Sequence, residues 1–266
     1  MGAFEVARQA GFDRIITLDM GGTSTDVCLC DGQIETTNEA QIDHHPVSTQ
    51  MIGIHSVGAG GGSIAWVDQG GLLKVGPESA GADPGPICYG KGDQVTVTDA
   101  HVFLGHIDPD FFLGGEMKLQ PAQVPPSLEK LGQKLAGKEE GAWRPAEIAE
   151  GILRIVNSQM EKAIRITSLQ RGHDTREFTL VTYGGAGALH ACDLARALMI
   201  PRILVPQNPG ALSALGILRA DVIQDSSVTS MVTTEEDGFA RVLDEQFQRL
   251  DADLLEKMAE EGYEAD

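Results

Sequence analysis

Apolar positions along the chain follow two periods. Ile15, Ile16 and Leu18 make a short apolar run within Arg14–Leu18, and Val27–Cys30 makes a second. Runs of this length bounded by turn residues predict strands. The Asp31-Gly32 pair is a turn signal before a third strand, Gln33–Thr37, so the opening segment predicts an antiparallel meander. Val95–Thr98 reads as a further strand, and Ser127–Ala136 carries a faint helical pattern. Pro145 then opens a long helix, with Ile148, Ile152, Ile155, Val156, Met160 and Ala163 on one face and Gly172 as its end. Phe178–Tyr183 predicts a strand, Ala188–Leu198 a helix and Ile203–Pro206 a strand. The order is β-β-β, a Gly- and Pro-rich insertion over 38–145, then α, β, α, β. A strand-helix-strand of this length implies a parallel pair with a right-handed crossover.

Past this region Phe239, Leu243, Phe247, Leu250, Leu254 and Met258 repeat at three or four residues, the stripe of an amphipathic helix. Thr234 and Asp237 read as its start, with Glu235 and Glu236 at the positive end of the dipole. Two parts are therefore expected: a domain over 1–225, and an acidic helical segment over 226–266 that opens a further C-terminal region.

Composition narrows the function. Against 20 Lys and Arg stand 39 Asp and Glu, a net charge of −19. A chain so acidic lacks the clustered cations that phosphate backbones and anionic membranes require, which argues against nucleic-acid and membrane partners. Residues 225–266 hold 13 acidic and 3 basic side chains, so 13 − 3 = 10 of those charges lie in that tail. No apolar run approaches the ~18 residues of a membrane span. MGAFEVARQAGFDR lacks a signal peptide's apolar core, and the four cysteines form no disulfide framework, so a cytoplasmic location is expected.

Three glycine-rich motifs carry candidate chemistry. The first, Asp19-Met-Gly-Gly-Thr-Ser-Thr-Asp26, lies between two strands. Gly21 and Gly22 let backbone N–H groups approach an oxyanion, Thr23 and Ser24 add hydroxyls, and Asp19 and Asp26 suit Mg²⁺. A plain Gly-Gly hairpin needs neither a carboxylate at each end nor three hydroxyls between. The second, Tyr183-Gly184-Gly185-Ala-Gly187-Ala-Leu-His190, sits at a strand-to-helix junction, where helix N-termini bind anions. As a dinucleotide fingerprint it fails, with His190 in place of the third glycine and Gln207 where an acid belongs. A mononucleotide site remains. The third, Val57-Gly58-Ala-Gly60-Gly61-Gly62-Ser63, is equally compatible with a flexible loop. Gly85–Gly92 imitates a Walker A sequence, but Gly92 stands where the Mg²⁺-binding hydroxyl should be and prolines replace the preceding strand.

The seven histidines show no metal-site spacing. Asp99 and His101 follow the expected strand and would share one face of a loop, as local hydrogen-bonding partners or as metal ligands. His190 lies in the first turn of its helix, where a capping, a core and a catalytic role all fit. Cys28 and Cys30 alternate on one strand and face the same side, as a small buried pair.

TLDMGGTSTDVCL resembles the central segment of the hydantoinase A/5-oxoprolinase family. So do VGAGGGSIAWVD, KVGPESAGADPGPICYG, VTVTDAHVFLGHIDPDFFLGG, RGHDTREFTLVTYGGAGALHACDLA and VPQNPGALSALGIL. These blocks run in order from about residue 14 to 225. The resemblance implies one half of an actin-like, ribonuclease H-like α/β ATPase fold that uses ATP and Mg²⁺. Asp19 to Asp26 would be its phosphate motif and Gly184 to Gly187 its adenosine motif, with Gly60 and Gly61 lining the cleft. Asp19 and Asp26 would position the metal, and His190 is a catalytic candidate. The expected reaction is ATP-dependent opening of a cyclic amide, 5-oxoproline or a hydantoin, with a hydantoinase B-type subunit or domain as partner. The rivals are an ATP-using carboxylase subunit and a non-catalytic nucleotide switch. An earlier DxGGTxTD motif of the family is absent here, so the chain reads as a middle fragment that binds nucleotide poorly alone. The family tends to carry Asn and Arg at the positions of His101 and His106, and often Pro at Ala188.

Overall fold

Ile15 and Ile16 are neighbours in sequence, point to opposite faces of one strand, and are both fully buried. Such a strand must lie inside a sheet that is covered on both sides. The computed structural model describes every residue except 38–39, 43–44, 48–50, 136–142, 232, 234–237 and 264–266. It divides into two units, Met1–Arg219 and Ala220–Asp266.

In the first unit, helix α1 (Gly2–Gln9) leads into strands β1 (Arg14–Met20) and β2 (Thr25–Asp31). Two short pairs follow, β3 (Thr36–Thr37) with β6 (Met51–Ile52) and β4 (Ala40–Ile42) with β5 (His45–Val47), and then β7 (His55–Val57). A hairpin, β8 (Ser63–Val67) and β9 (Leu73–Ser79), precedes helices α2 (Val97–Phe103), α3 (Val124–Gly132) and α4 (Pro145–Thr167). Strand β10 (Thr179–Tyr183), helix α5 (Gly187–Ala197), strand β11 (Arg202–Leu204) and helix α6 (Leu212–Leu218) complete the unit.

The central sheet has the order β11-β10-β1-β2-β7. β1, β10 and β11 are parallel, while β2 runs antiparallel to both of its neighbours. This is the ribonuclease H-like arrangement, and the mixed α/β half expected from the resemblance is what the chain forms. On one face Ile16, Leu18, Val27, Leu29 and Leu180 pack under α4 and α5 in the main core. On the other, Ile15, Cys28, Cys30 and Val181 pack with Ala3 and Ala7 of α1 and Leu212. The two cysteines do form a buried pair on one face.

Several expectations need correction. Val95–Thr98 is not a strand: Thr96 and Asp99 form a reciprocal capping box that starts α2 at Val97, and only Thr96 keeps a bridge, to Ile64. The β-branched run masked a T-x-x-D helix start. The third strand of the meander is not Gln33–Thr37, of which Ile34 merely bridges Cys30 and Thr36–Thr37 pairs with β6. β7 takes that place, so the segment 38–145, expected as an insertion, returns a strand to the central sheet. Helix α4 starts at Pro145 as expected but ends at Thr167. There the Thr167 and Ser168 hydroxyls turn back onto the Ala163 and Ile164 carbonyls. Gly172 instead closes the short turn Leu169–Arg171, at φ +88°.

The second unit contains helix α7 (Phe239–Glu260), with the expected stripe and an exposed Phe247. The cap expected at Thr234–Asp237 lies outside the described residues.

Candidate functional site

The carboxyl ends of parallel strands are where α/β sheets bind ligands, because the loops there diverge. At this edge β1 and β10 end side by side, at Met20 and Tyr183. The turn of the β1–β2 hairpin, residues 21–24, and the Gly184–Gly187 loop therefore meet.

One transverse row crosses four strands at this edge. Ser56, Asp26, Asp19 and Tyr183 are successive register partners in β7, β2, β1 and β10. Directly paired residues project on the same face, so the two carboxylates look the same way. Asp26 accepts a hydrogen bond from the Ser56 hydroxyl, and Asp19 accepts one from Ser213 Oγ at 3.2 Å. Burial raises the Asp19 carboxyl above its usual range; the Ser213 hydrogen bond opposes this, and the charge of Asp26 adds to it. Burial also raises the Tyr183 phenol, helped by Asp19. Two carboxylates held this way favour a cation between them. Their oxygen donors suit a hard divalent ion that completes its shell with water or phosphate. Among the described residues, no group of three or more His, Cys, Asp or Glu gathers for a metal at this site or at any other, so the protein offers two carboxylates and no third such ligand.

The glycine loops pack backbone against backbone. Gly61 N donates to Gly21 O at 3.0 Å, Gly62 N to Gly22 O at 2.6 Å, and Ala186 N to Met20 O at 3.0 Å. A Cβ on Gly60 would lie 2.6 Å from the Gly22 backbone, and one on Gly184 would lie 2.4 Å from Met20 O and 2.6 Å from Asp19 Oδ1. Gly187 likewise leaves room for the Thr182 hydroxyl, 2.6 Å from where its Cβ would be. These glycines are required by close approach. Gly60 N is turned to Ser63 Oγ at 2.8 Å, so Gly60 and Gly61 shape the loop with their amides engaged inside the protein. Gly21, Gly22 and Gly185 differ, with nothing within 4 Å of an added Cβ. Gly22, Thr23, Ser24 and Gly185 are exposed.

His190 is 1 % exposed, with Nδ1 2.6 Å from Asn157 Oδ1 and Nε2 3.1 Å from His101 Nε2. It faces a buried polar cluster, with both ring nitrogens occupied. Asp99 and His101 lie on α2 and part company. Asp99 accepts from the N–H groups of Ile87, Cys88 and Thr96 and from the Thr96 hydroxyl. The Walker-like loop at 85–92 thus spends two amides on an internal carboxylate, in keeping with its rejection as a phosphate cradle. Ser56, Ser213 and Thr98, whose N–H and hydroxyl both donate to Gly61 O, carry no local motif and escaped the sequence reading.

Comparison with known proteins places this geometry. A family profile described as Hydantoinase/oxoprolinase matches residues 1–226. The chain is 36% identical over 266 residues to the caprolactamase subunit alpha of Pseudomonas jessenii, covering 98% of this chain and 37% of that one. It is 37% identical over 262 residues to 5-oxoprolinase 1 of Arabidopsis thaliana, covering 94% of this chain and 20% of that one. The nucleotide-free acetone carboxylase structure superposes with a TM-score of 0.83 at 28% identity, over 100% of this chain and 38% of that one. The ATP-dependent caprolactamase of Pseudomonas jessenii gives 0.79 at 34% identity, over 100% and 38%. The chain thus spans well under half the length of these relatives. With the glycine loops and paired aspartates, these likenesses show that the chain belongs to the hydantoinase/oxoprolinase family.

Proposed function

We propose that this chain is the ATP-binding portion of an enzyme that opens a cyclic amide at the expense of ATP. The carrying observation is the facing pair Asp19 and Asp26 beside the exposed tip Gly22–Ser24, at the carboxyl edge of the parallel strands. Asp19 and Asp26 would hold Mg²⁺, whose chemistry is to offset charge on the phosphates. Gly21, Gly22, Thr23 and Ser24 would cradle phosphate, Gly184, Gly185 and Gly187 would meet the nucleoside, and Gly60 and Gly61 would hold the hairpin tip in place. His190 serves as a positioning group. The γ-phosphoryl group passes to the amide oxygen and ADP departs. Water then attacks the activated carbon, the ring nitrogen leaves with a proton, and a second water releases phosphate. The likeness to a protein named as subunit alpha supports a companion subunit, which we assign as hydantoinase B-type.

The acetone carboxylase likeness favours a second reading, transfer of a phosphoryl group in a carboxylation. Phosphate release by the assembled protein separates the two. Stimulation by 5-oxoproline or a hydantoin without bicarbonate supports ring opening, and strict bicarbonate dependence supports carboxylation. No response to any cyclic amide defeats the leading reading. Asp19→Asn should lower substrate-dependent phosphate release by at least ~100-fold. Its unfolding midpoint should stay level or rise, because the change relieves burial and repulsion at Asp19.

A further inference from the structure

Helices α2 and α5 each support one glycine loop. Thr98, in the first turn of α2, donates its N–H and its hydroxyl to Gly61 O at 2.8 and 2.9 Å, and Gly187 opens α5. A Cβ on Gly61 would lie 3.8 Å from Ala186 Cβ, so the two loops are neighbours. One turn further along each helix stands a buried histidine, His101 and His190, 2 % and 1 % exposed. Their Nε2 atoms are 3.1 Å apart. His101 Nδ1 lies 3.0 Å from Nδ1 of the exposed His106, and His190 Nδ1 lies 2.6 Å from Asn157 Oδ1 of α4.

The direction of every proton in this chain follows from its end. Asn157 turns its amide nitrogen to the Asp193 carboxylate, at 3.5 Å, so its Oδ1 faces His190 and only accepts. His190 Nδ1 therefore donates. A neutral imidazole has one donor and one acceptor, so His190 Nε2 accepts and His101 Nε2 donates. His101 Nδ1 then accepts and His106 Nδ1 donates. All three bonds run one way, from His106 inward to Asn157. A second proton on His190 would set two N–H groups head to head at His101, and a second proton on His101 would do so at His106.

The surroundings keep both rings neutral. Burial pulls His101 down to about 3, with His190 and His106 adding to the effect. Burial pulls His190 down to about 4; Asp193 opposes this and His106 reinforces it. From α4 the facing group is the neutral Asn157. Helix α3 buries the apolar Val124, Leu128 and Leu131, and the carboxylate of α2 itself, Asp99, is turned to Thr96 and the 87–88 amides.

We propose that His106, His101, His190 and Asn157 form an acid-released latch that pins α2 to α5 and so sets the spacing of the Gly60–Gly62 and Gly184–Gly187 loops. His101 is thus a positioning residue. The effect on activity rests on the nucleotide reading of those loops, whereas the latch itself can be read without nucleotide. Both rings are less basic folded than unfolded, so the unfolded chain binds more protons below the ordinary histidine pKa of about 6.5. Stability from the latch is complete above that pH and is lost as pH falls from there toward about 4 for His190 and about 3 for His101.

Histidine ¹⁵N NMR of the 266-residue chain tests the wiring directly. At neutral pH the protonated nitrogens should be Nε2 of His101 and Nδ1 of His190 and His106, with His101 and His190 still neutral at pH 5. The opposite tautomer at His101, or ordinary titration of either buried ring, overturns the latch. Amide exchange of α2 and α5, corrected for intrinsic rate, tests its release. Opening should grow by up to ~100-fold per pH unit below 6 in the native chain, but by only up to ~10-fold in His101→Asn. That amide supplies the same donor and acceptor but does not titrate. Equal acid sensitivity in His101→Asn also overturns the proposal. Should that variant fail to fold, the tautomer measurement on the native chain still decides.

Discussion

The glycines near the site fall into two physical classes that the sequence writes with one letter. Gly60 and Gly184 are pressed against backbone, at 2.6 Å from Gly22 and 2.4 Å from Met20, and Gly184 also has φ +80°. Gly21 and Gly22 have open space where a side chain would go. Gly60→Ala and Gly184→Ala should each cost about 1–3 kcal/mol in urea unfolding, since neighbouring backbone must shift to admit the methyl. Gly22→Ala should change stability by less than about 1 kcal/mol, yet weaken nucleotide binding by the assembled protein, because the methyl would stand at the exposed hairpin tip. Equal stability losses in both classes would mean that the loops are not packed as described. The motif spacing made all of these residues legible as candidates. Which of them buttress and which are free to meet a ligand was not, because that depends on contacts between segments tens of residues apart.

At the scale of elements, α2 organises more than its seven residues suggest. Asp99 is fully buried, caps its own helix through Thr96 and receives the N–H groups of Ile87 and Cys88. Removing it strands three buried backbone donors together with the Thr96 hydroxyl. Asp99→Ala should therefore cost about 3–5 kcal/mol, against about 1 kcal/mol for Thr96→Ala, in the same denaturation experiment. The helix start was present in the sequence as Thr96-x-x-Asp99, but a run of β-branched residues outvoted it. The helices α4 and α5 were legible because each buries a periodic set of apolar residues, and β1, β2 and β10 because each buries a short continuous run. The third sheet strand was not. His55–Val57 has too little apolar pattern to declare itself and is recruited by its ladder to β2.

For the whole molecule, every residue of both cores lies within Met1–Arg219. A chain ending at Arg219 should fold cooperatively, with a urea midpoint close to that of the full chain, while losing much of the negative charge; loss of cooperative unfolding would show the division to be wrong. The charge of −19 argues against a nucleic-acid partner on electrostatic grounds but says little about the site. Ten of those charges lie in residues 225–266, a stretch that carries none of the glycine motifs.

Local order alone determined a good deal. The apolar runs Arg14–Leu18 and Val27–Cys30 predicted neighbouring strands with Cys28 and Cys30 on one face, and the glycine motifs fell at the turn and the strand-to-helix junction beside them. The resemblance carried by those motifs reached the right family. Only the tertiary structure set Asp19 across from Asp26 with Ser56 and Ser213 as their hydroxyl partners. The same holds for Asp99 satisfying the loop at 85–92, and for His190 joined to His101 and His106. Periodicity is a property of neighbours along one chain segment, so it can be read from order. Charge repulsion, desolvation and the direction of a hydrogen bond depend on atoms that folding brings together, and no local pattern encodes them.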